Sequence, residues 1–407
     1  MPGESLQHGS HAAVYLDNHA TTRVDPRVVE AMLPYFTEKY GNAGSVGHTF
    51  GEEARAAVDA SRASIAAAIH ADAQEIVFTS GATESNNLAI RGVAERERRR
   101  GNHIVSVATE HNAVLDPLAR LARRGYNVQL LAVEQHGGPK TGWLDPTSVA
   151  DALRDDTCLV SVMLANNEIG VIQPLAEIAA ICKSRGVLLH CDATQAVGKI
   201  SVDVERLGVD LMSFTAHKIY GPKGIGALYV RSRDPIVRLD AQISGGGQQE
   251  GRRAGTLNVP GIVGFAKALE LCIAELTTEG PRLDALRNRL AADITRNLDE
   301  IELCGPELDG RYNDGTPLRL PGNLDVSFAN VDGEALILAM ENLAISSGAA
   351  CSSTDPKPSH VLRALGLSED AARSSLRFGF GRFNTDFCVD FAVDRVVQAV
   401  RKLRKLR

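Results

Sequence analysis

No CxxC pair and no zinc-type cysteine–histidine spacing occurs anywhere in the 407 residues. The seven cysteines are odd in number and scattered. That excludes a disulfide framework and a structural zinc site as organising features and makes a reducing cytoplasm the expected compartment. Basic charge is not in excess: 44 Lys and Arg stand against 50 Asp and Glu, a net charge of −6. The chain therefore lacks the positive field that nucleic-acid binding calls for. Its two basic runs, at 96–100 and 401–407, read as solvated helix ends, where cations suit the dipole. No apolar run reaches the roughly 18 residues of a spanning helix, so no membrane partner is expected. The opening MPGESLQHGSHAA lacks the apolar core of a secretory signal and reads as a flexible tail over residues 1–14. There is no fixed-period repeat. No GK[ST] follows a glycine-rich turn, which removes the Walker phosphate loop, and GPKG at 221–224 reads as a plain turn.

What is present is an ordinary globular composition, 44% hydrophobic and 23% charged. The length suggests two or three domains at about 150 residues each. The Ala-rich stretch from Glu52 to His70 reads as a helix. From Glu75 to about Val230, short β-branched runs (EIVF, HIVSVAT, NVQLLAV, CLVSVML, GVLLHCD, VDLMSF, IGALYV) alternate with helical stretches. That alternation predicts an α/β architecture with a mainly parallel sheet covered on both faces. A long helix is expected from about Val263 to Leu298, then a strand in GNLDVSF, a helix in GEALILAMENL, a strand in SSLRFGF and a last helix from Asp386 to Leu406. The later part reads as a smaller α+β domain. The expected division is 15–262 for the large domain and 263–407 for the small one.

In open α/β sheets ligands gather at the carboxyl ends of the strands. After EIVF comes Thr79-Ser80-Gly81-Ala82-Thr83-Glu84; after HIVSVAT, Glu110-His111; after LVSVMLA, Asn166 and Asn167. After VLLHC come Asp192 and Gln195, and after LMSF comes Thr215-Ala216-His217-Lys218. Each has a plainer reading alone. The Gly81 turn reads as a helix cap, Asp192 as a structural ion pair, Lys218 as a surface lysine and His111 as a satisfied histidine. Taken as a set they offer a phosphate cup at a helix N-terminus, a strand-end carboxylate, an amine whose charge is easily lost and a ring to stack. These are the parts that hold pyridoxal 5'-phosphate.

One cysteine is placed unlike the rest. Cys351 lies in SSGAACSSTDPKPSH (346–360), among small and polar residues with no apolar period, which predicts an exposed loop. The other six fall in strand or helix patterns or near element ends and read as core or incidental.

The segments YLDNHATTRVDPRV, FTSGATESNNLAIRG, TEHNAVLDP, NNEIGVIQPL, HCDATQAVGK, LMSFTAHKIYGPKGIGALYV, GRRAGTLNVPGIVG, SSGAACSS, VLRALG and SSLRFGFGRF run in order over residues 15 to about 385. Through them the chain resembles the class V aminotransferase group and, within it, the cysteine desulfurases of the NifS/IscS type. The resemblance implies the fold of fold-type I pyridoxal-phosphate enzymes. It implies conversion of L-cysteine to L-alanine, with sulfur passed to Cys351 as a persulfide and then to an acceptor such as an iron–sulfur scaffold, or into thiolation. By the same resemblance Lys218 attaches the cofactor, Asp192 meets its ring nitrogen, Gln195 its ring hydroxyl, and His111 stacks on the ring and handles substrate protons. Gly81, Ala82, Thr83, Thr215 and His217 hold the phosphate. Thr256 reaches the phosphate of a partner subunit, which implies a homodimer. Asn167, at cofactor and substrate, is joined by Arg377 and Asn42 near the substrate carboxylate. The chain departs from the family at Gln248-Gln249-Glu250, where relatives often carry a His and an Arg, so a changed local field is expected there. A selenocysteine lyase or another class V enzyme is the alternative. A conventional aminotransferase has no use for a thiol on a loop, and an intact Lys218, Asp192, His111 and Cys351 set argues against a non-catalytic homologue.

Overall fold

A computed structural model describes residues 13–347 and 357–406. Seven strands form the main sheet: β2 (Ile76–Thr79), β3 (His103–Val107), β4 (Asn127–Leu131), β5 (Thr157–Ser161), β6 (Leu188–Asp192), β7 (Leu211–Thr215) and β8 (Gly226–Val230), in the order β2-β8-β7-β6-β5-β3-β4. β3 to β7 run parallel, and β8 lies antiparallel to both of its neighbours. Every residue of β3, β5, β6, β7 and β8 is buried. Their sequences are mainly apolar because helices cover both faces, as a mostly parallel sheet requires. β4, at one edge, is mostly exposed, with Leu131 buried at its end.

A second sheet is antiparallel throughout. It contains β9 (Ile301–Leu303), β10 (Asn323–Phe328), β12 (Ser346–Ser347) and β13 (Ser375–Gly379) in the order β12-β13-β10-β9. The chain's first strand, β1 (Val14–Tyr15), pairs in parallel with β11 (Leu343–Ala344), and Asp17 bridges to Gly379. The N-terminal arm is thereby laid against this second sheet before it runs on to the first. The helix Val259–Asn297 links the two cores. Its buried residues from Val259 to Cys272 belong to the core of the main sheet, and Leu283, Leu286, Leu290 and Ile294 to that of the second. The helix Thr49–Ala68 lies along it, with Ala54, Val58 and Ile65 turned into the core. Among the described residues no helix is long and apolar enough to cross a membrane.

His190 shows how the sheet manages buried polarity. Its ring meets Ser161 Oγ on β5 at 2.9 Å and Ser213 Oγ on β7 at 3.0 Å, so both nitrogens are satisfied within the strand layer. Burial pushes its pKa down to about 4, against a partial opposing pull from Asp192. Unfolding restores a value near 6.5. The depressed folded value means that stability is fully present above the unfolded pKa and is lost as pH falls toward 4, by an amount on the order of 3 kcal/mol. The thermal unfolding midpoint is expected to fall between pH of about 6.5 and 4.5, and His190→Asn to flatten part of that slope. Identical pH dependence in the two proteins removes His190 from the effect.

Candidate active site

A cavity of about 640 Å³ opens where β2, β3, β5, β6 and β7 end. Each strand delivers its following turn to the wall. Ser80 to Glu84 come from β2, His111 from β3, Met163 and Asn167 from β5, Asp192 to Gln195 from β6, and Thr215 to Lys218 from β7. The arm adds His19, Ala20 and Thr21, the turn before β8 adds Lys223 and Gly224, and the second sheet adds Arg377.

The turn after β2 makes an anion cradle. Gly81 caps the helix Ala82–Arg96 at φ 151°, a conformation that L side chains rarely adopt. Gly226 on β8 must also be glycine, because a Cβ there would lie 2.7 Å from Gly81 Cα. The first-turn N–H groups of Ala82 and Thr83 have no partner within the helix, and the positive end of the dipole faces the cavity. His217 stands nearby with Nδ1 3.2 Å from Thr21 Oγ1, and burial pushes its pKa down to about 4, so it is neutral. Thr215 lines the cavity, but its hydroxyl donates to the Ile225 carbonyl at 3.0 Å. It therefore offers lone pairs rather than a hydrogen to an anion unless that bond is released.

Asp192 is 5% exposed, and both of its oxygens are held by neutral donors: Asn86 Nδ2 at 2.7 Å and the Thr194 N–H at 3.0 Å. Its charge is left for the cavity. Glu110, behind it, takes the Met163 N–H, while its other oxygen is buried without a partner. Burial, and then the Asp192 charge, hold the Glu110 pKa well above the usual carboxylate range, which favours its neutral form. Lys218 Nζ donates to the carbonyls of His19 and Ala20, each at 2.6 Å. Burial, and then the Arg377 charge, push its pKa down to about 8, close enough to neutrality to supply free amine. Gln195 sits below, with Nε2 donating to the His19 carbonyl at 2.9 Å.

His111 caps the helix Asn112–Arg123, its Nδ1 accepting the Ala113 N–H at 3.0 Å. That bond occupies the Nδ1 lone pair and assigns the ring hydrogen to Nε2. Protonating Nδ1 would break the cap and set a cation at the positive end of a helix. Desolvation in the cavity wall, offset in part by Asp192, also lowers its pKa. His111 is thus a neutral ring that presents an N–H.

Arg377 Nη2 donates to Asp17 Oδ1 (2.9 Å) and Ser346 Oγ (2.8 Å), and Nη1 to the Asn167 carbonyl (2.9 Å). Both Nη2 hydrogens are spent. A carboxylate entering the cavity meets one free Nη1 hydrogen, and the two-pronged fork becomes available only if Asp17 or Ser346 lets go.

The geometry brings Gly81, Ala82, Thr83, His111, Asn167, Asp192, Gln195, Thr215, His217, Lys218 and Arg377 to one cavity. Asn42 and Thr256 are exposed and do not line it. Cys351 lies outside the described residues. Glu250 points to solvent and pairs with Arg252 at 3.1 Å, while Gln249 bonds both N–H and C=O of Phe78 on β2 at 2.7 and 2.8 Å. Arg253 forks Glu84 of the cradle at 2.8 and 3.1 Å. Sequence reading assigned no role to Asp17, His19, Asn86, Glu110 or Lys199. Asn86 and Glu110 gave no signal of their own, because each sits among other polar residues (Glu84-Ser85-Asn86-Asn87 and Thr109-Glu110-His111-Asn112), and Asp17 and His19 act through contacts far along the chain. Thr194 Oγ1 and Asn86 Oδ1 are buried without partners. Together with the cradle, the carboxylate and the amine, they fit a ring that carries an anionic group and an electrophilic carbon.

The family model for class-V aminotransferases matches residues 14–391. A curated relative, cysteine desulfurase IscS of Anaeromyxobacter dehalogenans, is 53% identical over 393 residues, covering 97% of this chain and 94% of the relative. A solved NifS-like protein superposes with a TM-score of 0.86 at 35% identity, covering 96% of this chain and all (100%) of the other. A structure described as SspA in complex with cysteine gives 0.76 at 33% identity, over 91% of this chain and 100% of the other.

The His111 ring is directly testable. Nitrogen-15 spectra of imidazole-labelled protein are expected to show one Nε2–H tautomer whose titration midpoint lies below that of a free imidazole. A titration midpoint near the free value of about 6.5, or a mixture of tautomers, contradicts the assignment.

Proposed function

The chain belongs to the class-V aminotransferase family and is a cysteine desulfurase, and we propose that it performs this reaction with pyridoxal 5'-phosphate bound in the cavity at the end of the main sheet. The observation that carries the site assignment is the convergence of Lys218, Asp192, Gln195 and His111 on the same cavity as a helix N-terminus built for an anion. Bound there, pyridoxal phosphate supplies an electron sink for the substrate α-carbon.

The chain's own residues then have separable tasks. The Gly81 turn, Thr83 and His217 would hold the phosphate, and Asp192 would keep a proton on the ring nitrogen. Lys218 Nζ would hold the cofactor and, as a free amine, would accept the substrate α-proton; its lowered pKa suits both duties. Arg377 and Asn167 orient the substrate carboxylate. His111 stacks on the ring and directs its Nε2–H into the cavity. The Cys351 thiolate attacks the substrate sulfur and the carbon–sulfur bond breaks. Cys351 is left as a persulfide, and the carbon skeleton leaves as alanine after reprotonation. The persulfide passes to an acceptor protein in the cytoplasm, such as an iron–sulfur scaffold. Residues 15–262 serve as the cofactor-holding unit and 263–407 as the unit carrying the Cys351 segment.

A homodimer belongs to the same reading. Thr256 is exposed, as a residue that completes a partner's phosphate site must be. Leu33, Phe36, Tyr40, Val46 and Phe50 are exposed as well, with the Tyr40 and Phe50 rings 5.4 Å apart, an apolar surface suited to a second copy.

Incubation with L-cysteine followed by peptide mass spectrometry is expected to add about 32 Da, one sulfur atom, to the Cys351 peptide. Cys351→Ala is expected to keep the cofactor's visible absorbance and lose at least about a hundred-fold in sulfide release. Lys218→Ala is expected to lose the lysine-bound absorbance. Full sulfide release by Cys351→Ala, or a sulfur adduct confined to another cysteine, removes Cys351 from the mechanism. A marked preference for selenocysteine over cysteine would favour the selenocysteine lyase reading.

A further inference from the structure

Lys199 has a lysine's charge and no evident reason to turn it inward. Part of its stem reaches the surface, but Nζ points away from solvent and donates to Gln195 Oε1 at 2.6 Å. The His19 ring meets the same oxygen through Nδ1 at 3.1 Å, and Gln195 Nε2 donates to the His19 carbonyl at 2.9 Å. An ammonium can only donate. The atom turned toward Lys199 must therefore be the amide oxygen, which fixes Gln195 end for end. With that oxygen as acceptor, His19 Nδ1 carries the ring hydrogen. One Nε2 hydrogen of Gln195 is spent on the His19 carbonyl, and the other is left for the cavity that Gln195 lines.

An inward lysine is costly unless something offsets its lost hydration. Glu279 lines the same small, mostly apolar cavity as Lys199 but is committed to Arg382 at 3.2 Å and to the Tyr220 hydroxyl at 2.9 Å. The other charged groups facing Lys199, Lys218 and Arg377, are cations, and Cys272 is a neutral thiol. Desolvation, and then the Lys218 charge, push the Lys199 pKa down to about 7. A methionine would pack there at lower cost, so the amine is retained for its contact.

Building on the reading of this cavity as the pyridoxal-phosphate site, we infer that Lys199 is a positioning residue: it locks Gln195 as a hydrogen-bond donor toward the ring oxygen of the cofactor and sets a positive charge behind that contact. The Lys199–Gln195 spacing of four residues is what allows it, because both lie just past the turn that ends β6. A donor on the ring oxygen and, below about pH 7 where Lys199 is charged, a cation behind it both resist addition of a proton to the nearby cofactor–lysine link. Removing them makes that proton easier to add.

The test is a pH titration of the visible absorbance of the protein reconstituted with pyridoxal phosphate. Lys199→Met is expected to raise the midpoint by at least about half a unit, roughly threefold in proton affinity, and to weaken retention of the cofactor. Lys199→Gln keeps a donor without the charge and is expected to give a smaller rise in the same direction. It also carries the test alone if the methionine variant fails to fold. Midpoints unchanged from wild type in the variants that fold overturn the inference while leaving the cofactor site intact. Failure of the wild-type protein to take up pyridoxal phosphate at all overturns both readings.

Discussion

The amine of Lys218 is held by two backbone carbonyls, those of His19 and Ala20, and the rest of the site is arranged around that grip. Those carbonyls belong to the arm, not to the sheet that carries the lysine. The arm is placed by β1 on β11 and by the Asp17 bridge to Gly379, both in the second sheet region. The nucleophilic amine on one core is therefore aimed by a strand anchored on the other. Arg377 repeats the arrangement from the opposite side: it stands on β13 and reaches Asn167 at the end of β5 through that residue's carbonyl.

The electrostatic character comes from burial. Four groups that would ordinarily be charged at or near neutrality are driven toward their neutral forms: Glu110 by its own burial and the Asp192 charge, His111 by its cap and desolvation, His217 by burial, and Lys218 by burial and Arg377. Asp192 is left as the carboxylate facing the cavity. A carboxylate held by neutral donors favours a cationic ring nitrogen, and the burial that lowers the Lys218 pKa leaves its amine free to react.

Much of this was legible in the amino-acid order. The apolar runs from EIVF to IGALYV predict the strands because strands covered on both faces are mainly apolar, with polar residues such as His190 kept where a neighbouring strand satisfies them. The site residues could be collected from the polar turn just past the carboxyl end of each run. Other parts could not be read this way. Arg377's commitment to Asp17 joins positions 360 residues apart, and nothing local announces it. The exposure of Thr256 and Asn42 could not be read from their neighbours either, because both lie in loops without period. Lys199 was within reach: QAVGK places a lysine four residues after a glutamine of the site. A lone lysine after a glycine gives no sign of pointing inward until the His19 carbonyl is seen on the other side of the amide.

Gln249 has a bearing on how the main sheet ends. β2 ends the main sheet, and the amide of Gln249 pairs with both the N–H and the C=O of Phe78 as a neighbouring strand would. An unpaired edge is a template for any passing strand. A single side chain, held by a backbone turned to φ 52°, occupies the middle of that edge. One amide thus does for the middle of that edge what a further strand would otherwise do, with no strand added.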